Sequence, residues 1–510
     1  MIRSLRNAGR LVGLAATLAR HDALFVFERL GLPLPLSLVV RPLLHHRSGR
    51  PGQRLARALN EAGPSFIKLG QTLSTRSDLL GEELAADLSA LQDRLPPFPI
   101  EQAKATVEAE LGKPLGQVFR SFVPEPVAAA SIAQVHFAVT TEGREVAVKV
   151  LRPGVEEAFA RDLDLFLWIA QRIEANAPAL RRLRPVDTIR TFADSVAMEM
   201  DLRFEAAAAA ELADNFAGDA SFAVPAVDWT RTGQRVLTVE RVTGIKIDER
   251  EAIVAAGHDP RAVLTKAAQA FFVQVFRDGF FHADLHAGNL FVRADGGIVA
   301  VDFGIMGRID RRTRRHLGEL LLAFLSRDFR RAAQVHFEAG WIPADRSLDA
   351  FAQACRSIAE PILDKPQSEI SIARLLGQLF QVTETFAMET QPQLLLLQKT
   401  MLVAEGTGRK LAPDVNMWLL ARPLVERWTI DTLGPEARLR EAAGEVLSAL
   451  TRLPDLVRRA EAGATILADG RLRLDPDSLR GLNGGTAQAY LPWVLCVLLA
   501  LALVAVLIAE

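Results

Sequence analysis

The sequence predicts an α+β protein of two lobes, with a helical extension ahead of them and a C-terminal transmembrane helix behind. Three observations lead there. An alternating run from Ser131 to Val139, a turn at Thr141-Glu142-Gly143 and a second run ending at Val146-Ala147-Val148-Lys149 read as a β-hairpin. Further on, His282-Ala283-Asp284-Leu285-His286-Ala287-Gly288-Asn289 is followed by Asp302-Phe303-Gly304, with apolar strand-like stretches on either side. The last stretch, Leu491 to Ala509, is almost unbroken Leu, Val and Ala.

In chain order, residues 1–62 form a basic region, with Arg3, Arg6, Arg10 and Arg20 set among Leu, Val and Ala. The apolar runs are too short and too often broken by Arg for a secretory signal. Two readings stand: a helix on the membrane surface, as basic amphipathic helices form, or a helix packed on the body. Residues 63–127 extend this helical part, and 128–244 form the smaller lobe around the hairpin. Arg235 to Gly244 alternates like a strand and stops at glycine. It is either an edge strand or the hinge between lobes, in which case backbone groups near Glu240 and Val242 would bond adenine. Residues 245–470 make the larger lobe, rich in Leu and Ala and broken at Pro343, Pro361, Pro413 and Pro454. Leu394 to Leu397 is apolar, but Gln398 and Lys399 end the run far short of a membrane span. Residues 471–490, with Asn483-Gly484-Gly485, suit a tether.

Residues 491–509 have the length of a spanning helix, about 28 Å at the α-helical rise. Tyr490 and Trp493 stand where interfacial aromatics belong, and Arg471, Arg473 and Arg480 precede the span while Glu510 alone follows it. The positive-inside rule then keeps the lobes in the cytoplasm. The 510 residues suffice for two lobes with additions, and a formal net charge of −1 supplies no field to recruit nucleic acid. Cys355 and Cys496 are too far apart for metal-ligand spacing and fit a reducing compartment.

The chemistry lies in two intervals: Asn289 follows Asp284 by five residues, and Asp302 follows Asn289 by thirteen. An Asp-Phe-Gly alone is a chance match, but both intervals together are those of the protein-kinase pattern. The predicted fold is therefore protein-kinase-like. Asp284 orients the attacking group, while Asn289 and Asp302 share Mg²⁺, a hard cation that prefers oxygen ligands and retains waters. Lys149, on its strand, meets the α and β phosphates of ATP. Ahead of the hairpin, where a glycine-rich loop should lie, the chain reads Ala128-Ala129-Ala130-Ser131. Alanine lacks part of glycine's backbone freedom, so nucleotide is held differently there. Asp302-Phe303-Gly304 also runs straight into Asp310, a helix cap, and Arg311, Arg312, Arg314 and Arg315, with no Ala-Pro-Glu segment and no peptide platform. Those arginines are either a solvated face or a site for phosphate or lipid headgroups.

At this point the chain resembles the UbiB/AarF family of atypical kinase-like proteins. Lys68-Leu69-Gly70-Gln71 is similar to the family's KxGQ signature, Ala128 to Ser131 to its alanine-rich loop, and Glu199-Met200-Asp201 to its ExD motif. His282 to Asn289 departs from the family's HGDLHPGN only by Ala283 and Ala287. The resemblance implies that Glu205 is the helix partner of Lys149. It also implies that the segment of Lys68 and Gln71 packs over the cleft, with Lys68 beside Glu199 and Asp201, a regulatory cover where a peptide would otherwise lie. It further implies ATP hydrolysis or small-molecule work at the bacterial inner membrane in support of ubiquinone biosynthesis, with membrane lipid, prenylated quinone precursors and other ubiquinone-biosynthesis proteins as partners. Two other readings stand beside it: a small-molecule phosphotransferase, and a nucleotide-binding scaffold without turnover.

Overall fold

The computed structural model describes residues 2–25, 48–74, 82–89, 96–176, 184–363 and 392–413, with a few positions between and beyond them. The chain divides into two compact units, Met1–Thr432 and Leu433–Glu510. The second lies outside the described residues, as do the expected tether 471–490 and the expected span 491–509. Among the described residues no helix is long and apolar enough to cross a membrane.

The first unit opens with α1 (Ile2–Arg20), α2 (Pro51–Ala62), α3 (Pro64–Ser74) and α4 (Glu82–Ser89). Pro51 and Pro64 sit at helix starts, where the missing N–H costs nothing. One face of α1 buries Ala15, Leu18 and Ala19 against α2 and α6 (Val155–Asn176), in a core that includes Leu55, Phe159 and Phe166. Three of its arginines are answered by acids of the same body: Arg6 by Asp164 at 3.0 Å, Arg10 by Asp162, and Arg20 by Glu61 at 2.6 Å. In this structure the segment is a helix packed on the body.

The smaller lobe is an antiparallel sheet ordered β1 (Phe119–Phe122), β3 (Ala133–Thr140), β4 (Glu145–Leu151), β6 (Val236–Glu240), with β2 (Ala128–Ala129) added on β3. The β3–β4 hairpin turns at Gly143, whose φ of 91° favours glycine. Alternate residues Val146, Val148 and Val150 are buried against α5 (Ile100–Leu111), which turns Lys149 to the other face. On that face lie α7 (Pro185–Glu199) and α8 (Leu202–Asn215).

The larger lobe gathers around α9 (Pro260–Phe272) and two small sheets. One is ordered β5 (Phe222–Ala223), β10 (Ile298–Ala300), β9 (Leu290–Val292), β7 (Ile245–Lys246); the other pairs β8 (Phe280–His282) with β11 (Met306–Arg308). Gly307 stands opposite Phe281, and a Cβ there would lie 2.2 Å from the Phe281 ring, so only glycine fits without movement. Helices α10 (Arg311–Leu325), α11 (Phe329–Glu338), α12 (Leu348–Ala359) and α13 (Pro392–Leu411) complete the unit. Pro361 and Pro413 fall just beyond α12 and α13, as a residue that cannot continue a helix should. Asp310 caps α10, accepting from the N–H groups of Arg312 and Thr313.

Candidate active site

Lys149 is the centre of the site. Its Nζ lies 2.9 Å from both carboxylate oxygens of Glu205 on α8 and 2.9 Å from Oδ1 of Asp302. Strand alternation turns the lysine inward, and Asp201, capping α8 through the N–H of Arg203, starts the helix that presents Glu205. Burial opposes the charge on Lys149, but Asp302 and Glu205 overcome it and hold the ammonium well above the usual lysine range. Lys149 in turn holds Asp302 well below the ordinary carboxylate range. Burial pushes Glu205 the other way, above that range, against the pull of Lys149. One cation thus holds two carboxylates together.

Asp302 has φ of +63°, left-handed geometry that aspartate tolerates better than most residues. Its neighbour Phe303 is buried, with its ring 5.5 Å from that of His282. His282 fixes the Asp284 loop by three hydrogen bonds. Its N–H donates to the buried Gln274 at 2.9 Å, its Nδ1 lies 3.1 Å from the Asp284 N–H, and its Nε2 lies 3.1 Å from the Val301 carbonyl. A ring accepting at Nδ1 carries its proton on Nε2, so Nε2–H donates to Val301. Burial lowers the His282 pKa and keeps this neutral form.

The Asp284 carbonyl accepts from the His286 N–H at 2.8 Å and from Nδ2 of Asn289 at 3.1 Å. With Nδ2 committed there, the amide oxygen of Asn289 is the end left for a cation. The Asn289 carbonyl accepts from Val301 N–H at 2.9 Å, and Ala283 N–H donates to Ile305 at 3.0 Å, which ties the Asp284 loop to the Asp302 loop on both sides. The donor set fits Mg²⁺ as phosphotransfer sites hold it. Among the described residues no three His, Cys, Asp or Glu side chains form a metal cage. One amide oxygen and one half-exposed carboxylate, Asp302, would leave the remaining positions to phosphates and water.

The other expected residues take these places. Ala128 and Ala129 pair with Val135 and Gln134, and Ala130 N–H donates to Ala133 at 2.8 Å, closing a tight turn around Ser131. Glu240 ends β6 with its N–H on Ala226 at 2.8 Å, and Val242 is half-buried on the way to β7. Lys68 is buried and pairs with Glu199 at 2.8 Å. Gln71 donates to the Leu91 carbonyl at 3.4 Å. Asp201 is bound by the Arg203 guanidinium at 2.9 and 2.6 Å, which draws its pKa down. Among the basic residues after Asp310, Arg314 is spent on the carbonyl of Phe276 at 3.3 Å and that of Arg277 at 2.5 Å.

Three contributors escape sequence reading: Gln274, which supports His282, and Lys399 and Thr400 on α13, which reach the Asp284 loop. Their only signal is polarity where the pattern is apolar. Cys355 is buried, and its thiol is pushed up to about 12 by that burial, so it is no nucleophile.

The model of the ABC1 atypical kinase-like domain matches residues 90–336, and that of the UbiB helical domain matches residues 355–416. A probable protein kinase UbiB of Marinobacter nauticus is 41% identical over 445 residues, 86% of this chain and 81% of its own. The chain belongs to the UbiB family. A probable protein kinase UbiB of Pseudomonas fluorescens is 43% identical over 409 residues, covering 79% of this chain and 76% of its own. A solved structure, the complex of Rv3197 with erythromycin from Mycobacterium tuberculosis, is 26% identical with a TM-score of 0.49, covering 72% of this chain and 93% of that one. The kinase-like domain of this UbiB-family chain contains Lys149, Glu205, Asp284, Asn289 and Asp302, and α13 lies within the UbiB helical domain.

Proposed function

We propose that this UbiB-family chain is a membrane-anchored, Mg–ATP-dependent atypical kinase or ATPase that supports ubiquinone biosynthesis, acting on or near lipid-soluble quinone precursors. The observation behind the reading is the Lys149 ammonium at 2.9 Å from both Glu205 and Asp302. That arrangement pre-orients a cation for the α and β phosphates. Asn289 and Asp302 would hold Mg²⁺, which when bound neutralises charge on the β and γ phosphates. Glu205 keeps Lys149 in place, and Asp284 orients the attacking hydroxyl and takes its proton. His282 fixes the backbone of Asp284. Resemblance to the UbiB/AarF family implies that the segment of Lys68, paired with Glu199, covers the place a peptide would take, and on that ground the acceptor is water or a small lipid-soluble hydroxyl. Anchoring rests on the sequence of Leu491 to Ala509 and on the arginines that precede it.

The test is Mg-dependent ATP hydrolysis by the full chain in anionic liposomes, with and without a polyprenylated phenol, beside the Asp302→Asn variant. Lipid-stimulated turnover that the variant loses is the expected result. Nucleotide binding without turnover under all these conditions would leave a scaffold in place of an enzyme.

A further inference from the structure

Helix α13 is Leu-rich on entry and then presents Lys399 and Thr400. Consecutive residues of this helix meet consecutive residues of the catalytic loop more than a hundred positions away. Thr400 is fully buried, with Oγ1 3.0 Å from the Ala283 carbonyl and 2.8 Å from that of Leu396. Its single proton serves one of them at a time. Next to it, Lys399 Nζ stands 3.9 Å from Oδ1 of Asp284. Among the described residues, His286 Nε2 also stands near that carboxylate, 3.8 Å from Oδ2.

The separation matters. At 3.9 Å the ammonium is in the field of Asp284 but not in a closed hydrogen bond, and 30% of its side chain is accessible. Lys149, by contrast, is locked between two carboxylates and serves the α and β phosphates. A transferring phosphoryl group spreads its negative charge over three equatorial oxygens and needs a cation near the acceptor side. We propose that Lys399 is the γ-phosphate-binding cation of this site, supplied by the helical domain, and that Thr400 is the positioning residue that pins α13 to the Asp284 loop.

The proposal rests on the ATP reading above. In the step it implies, Asp284 takes the proton of the attacking hydroxyl as that oxygen bonds to the γ-phosphorus. The bond from the γ-phosphorus to the β-bridging oxygen breaks, and its electron pair leaves with ADP. Lys399 keeps its proton throughout and offsets charge on the γ oxygens.

The test compares Mg–ATP and Mg–ADP binding to the full chain, by competition with a fluorescent ADP analogue, for the parental protein, Lys399→Met and Lys399→Arg. Lys399→Met should keep ADP affinity, which also certifies a folded site. It should lose about tenfold of the preference for ATP over ADP, the loss expected for one charge-assisted bond. Lys399→Arg should recover most of the preference. Where turnover is measurable, Lys399→Met should lower kcat by roughly 10- to 100-fold with KM changed far less. An unchanged ATP-over-ADP preference in Lys399→Met, or a parental protein that binds both equally, overturns the role of Lys399 while the nucleotide site stands. A parental protein that binds neither nucleotide removes the ATP reading itself, and the role of Lys399 with it.

Discussion

His282 and Asp284 are joined by a hydrogen bond in which the imidazole accepts: the Asp284 N–H points at Nδ1 from 3.1 Å. The loop that carries Asp284 is therefore built on a buried, neutral histidine. Protonating that ring would put a second hydrogen where the Asp284 N–H already points.

This has a consequence for acid stability. His282 has its pKa lowered by burial, and His336, buried in the helical part with Nδ1 on the Ala332 carbonyl at 2.8 Å, has its pKa lowered by burial to about 4. A base whose folded pKa is depressed contributes stability above its unfolded pKa, and that stability is lost as pH falls through the interval down to the folded value. For His336 the window runs from about 6.5 to about 4 and the full effect is about 3 kcal/mol. Urea unfolding at several pH values should show the loss, and His336→Gln should flatten it; a parental curve already flat across that window contradicts the burial argument.

Removing Lys149 should destabilise the fold as well as abolish turnover. Lys149→Met leaves Glu205 and Asp302 facing each other without their shared cation, at a cost of about 3–5 kcal/mol for breaking a buried pair on one side. Adding Glu205→Gln should recover part of that loss without restoring activity. Thermal unfolding of the single and double variants reads this directly, and additive losses would mean the two groups are not coupled.

A similar cycle applies to the Lys68–Glu199 pair. Lys68→Met and Glu199→Gln should each destabilise the protein, and the double variant should cost less than their sum, with a coupling of about 1 kcal/mol or more for a pair this enclosed. No coupling would detach Lys68 from Glu199 in solution.

Gly307→Ala tests the floor of the site. Its new methyl would strike the fully buried Phe281 ring, next in sequence to His282. Overpacking of this kind costs about 1–3 kcal/mol, and Phe281→Leu in the same chain should return part of it. A melting temperature equal to the parent's would show that the ring has room to move.

What the sequence conveys about this protein follows from range. The Asp284–Asn289–Asp302 spacing and the alternation that turns Lys149 inward are local, so they can be read before any contact is known. The packing of α1 on the body is not local: it depends on Asp162 and Asp164 meeting Arg10 and Arg6 from over 150 residues away. Thr400 meeting Ala283 and Gly307 accepting the Phe281 ring are likewise pairings of distant segments, invisible to periodicity. Asp201 shows another limit. Its motif marks it as important, yet only the structure shows its carboxylate capping α8 and gripping Arg203.

In the proposed function, Asp302 and Asn289, beside Lys149, form the Mg–ATP site. The most direct measurement is calorimetric titration of ATP into the full chain with and without Mg²⁺, for the parental protein and Asp302→Asn. Binding that requires Mg²⁺ in the parent and weakens by about tenfold or more in the variant is the expected result. Equal affinity in the two proteins, or affinity indifferent to Mg²⁺, would place the nucleotide elsewhere.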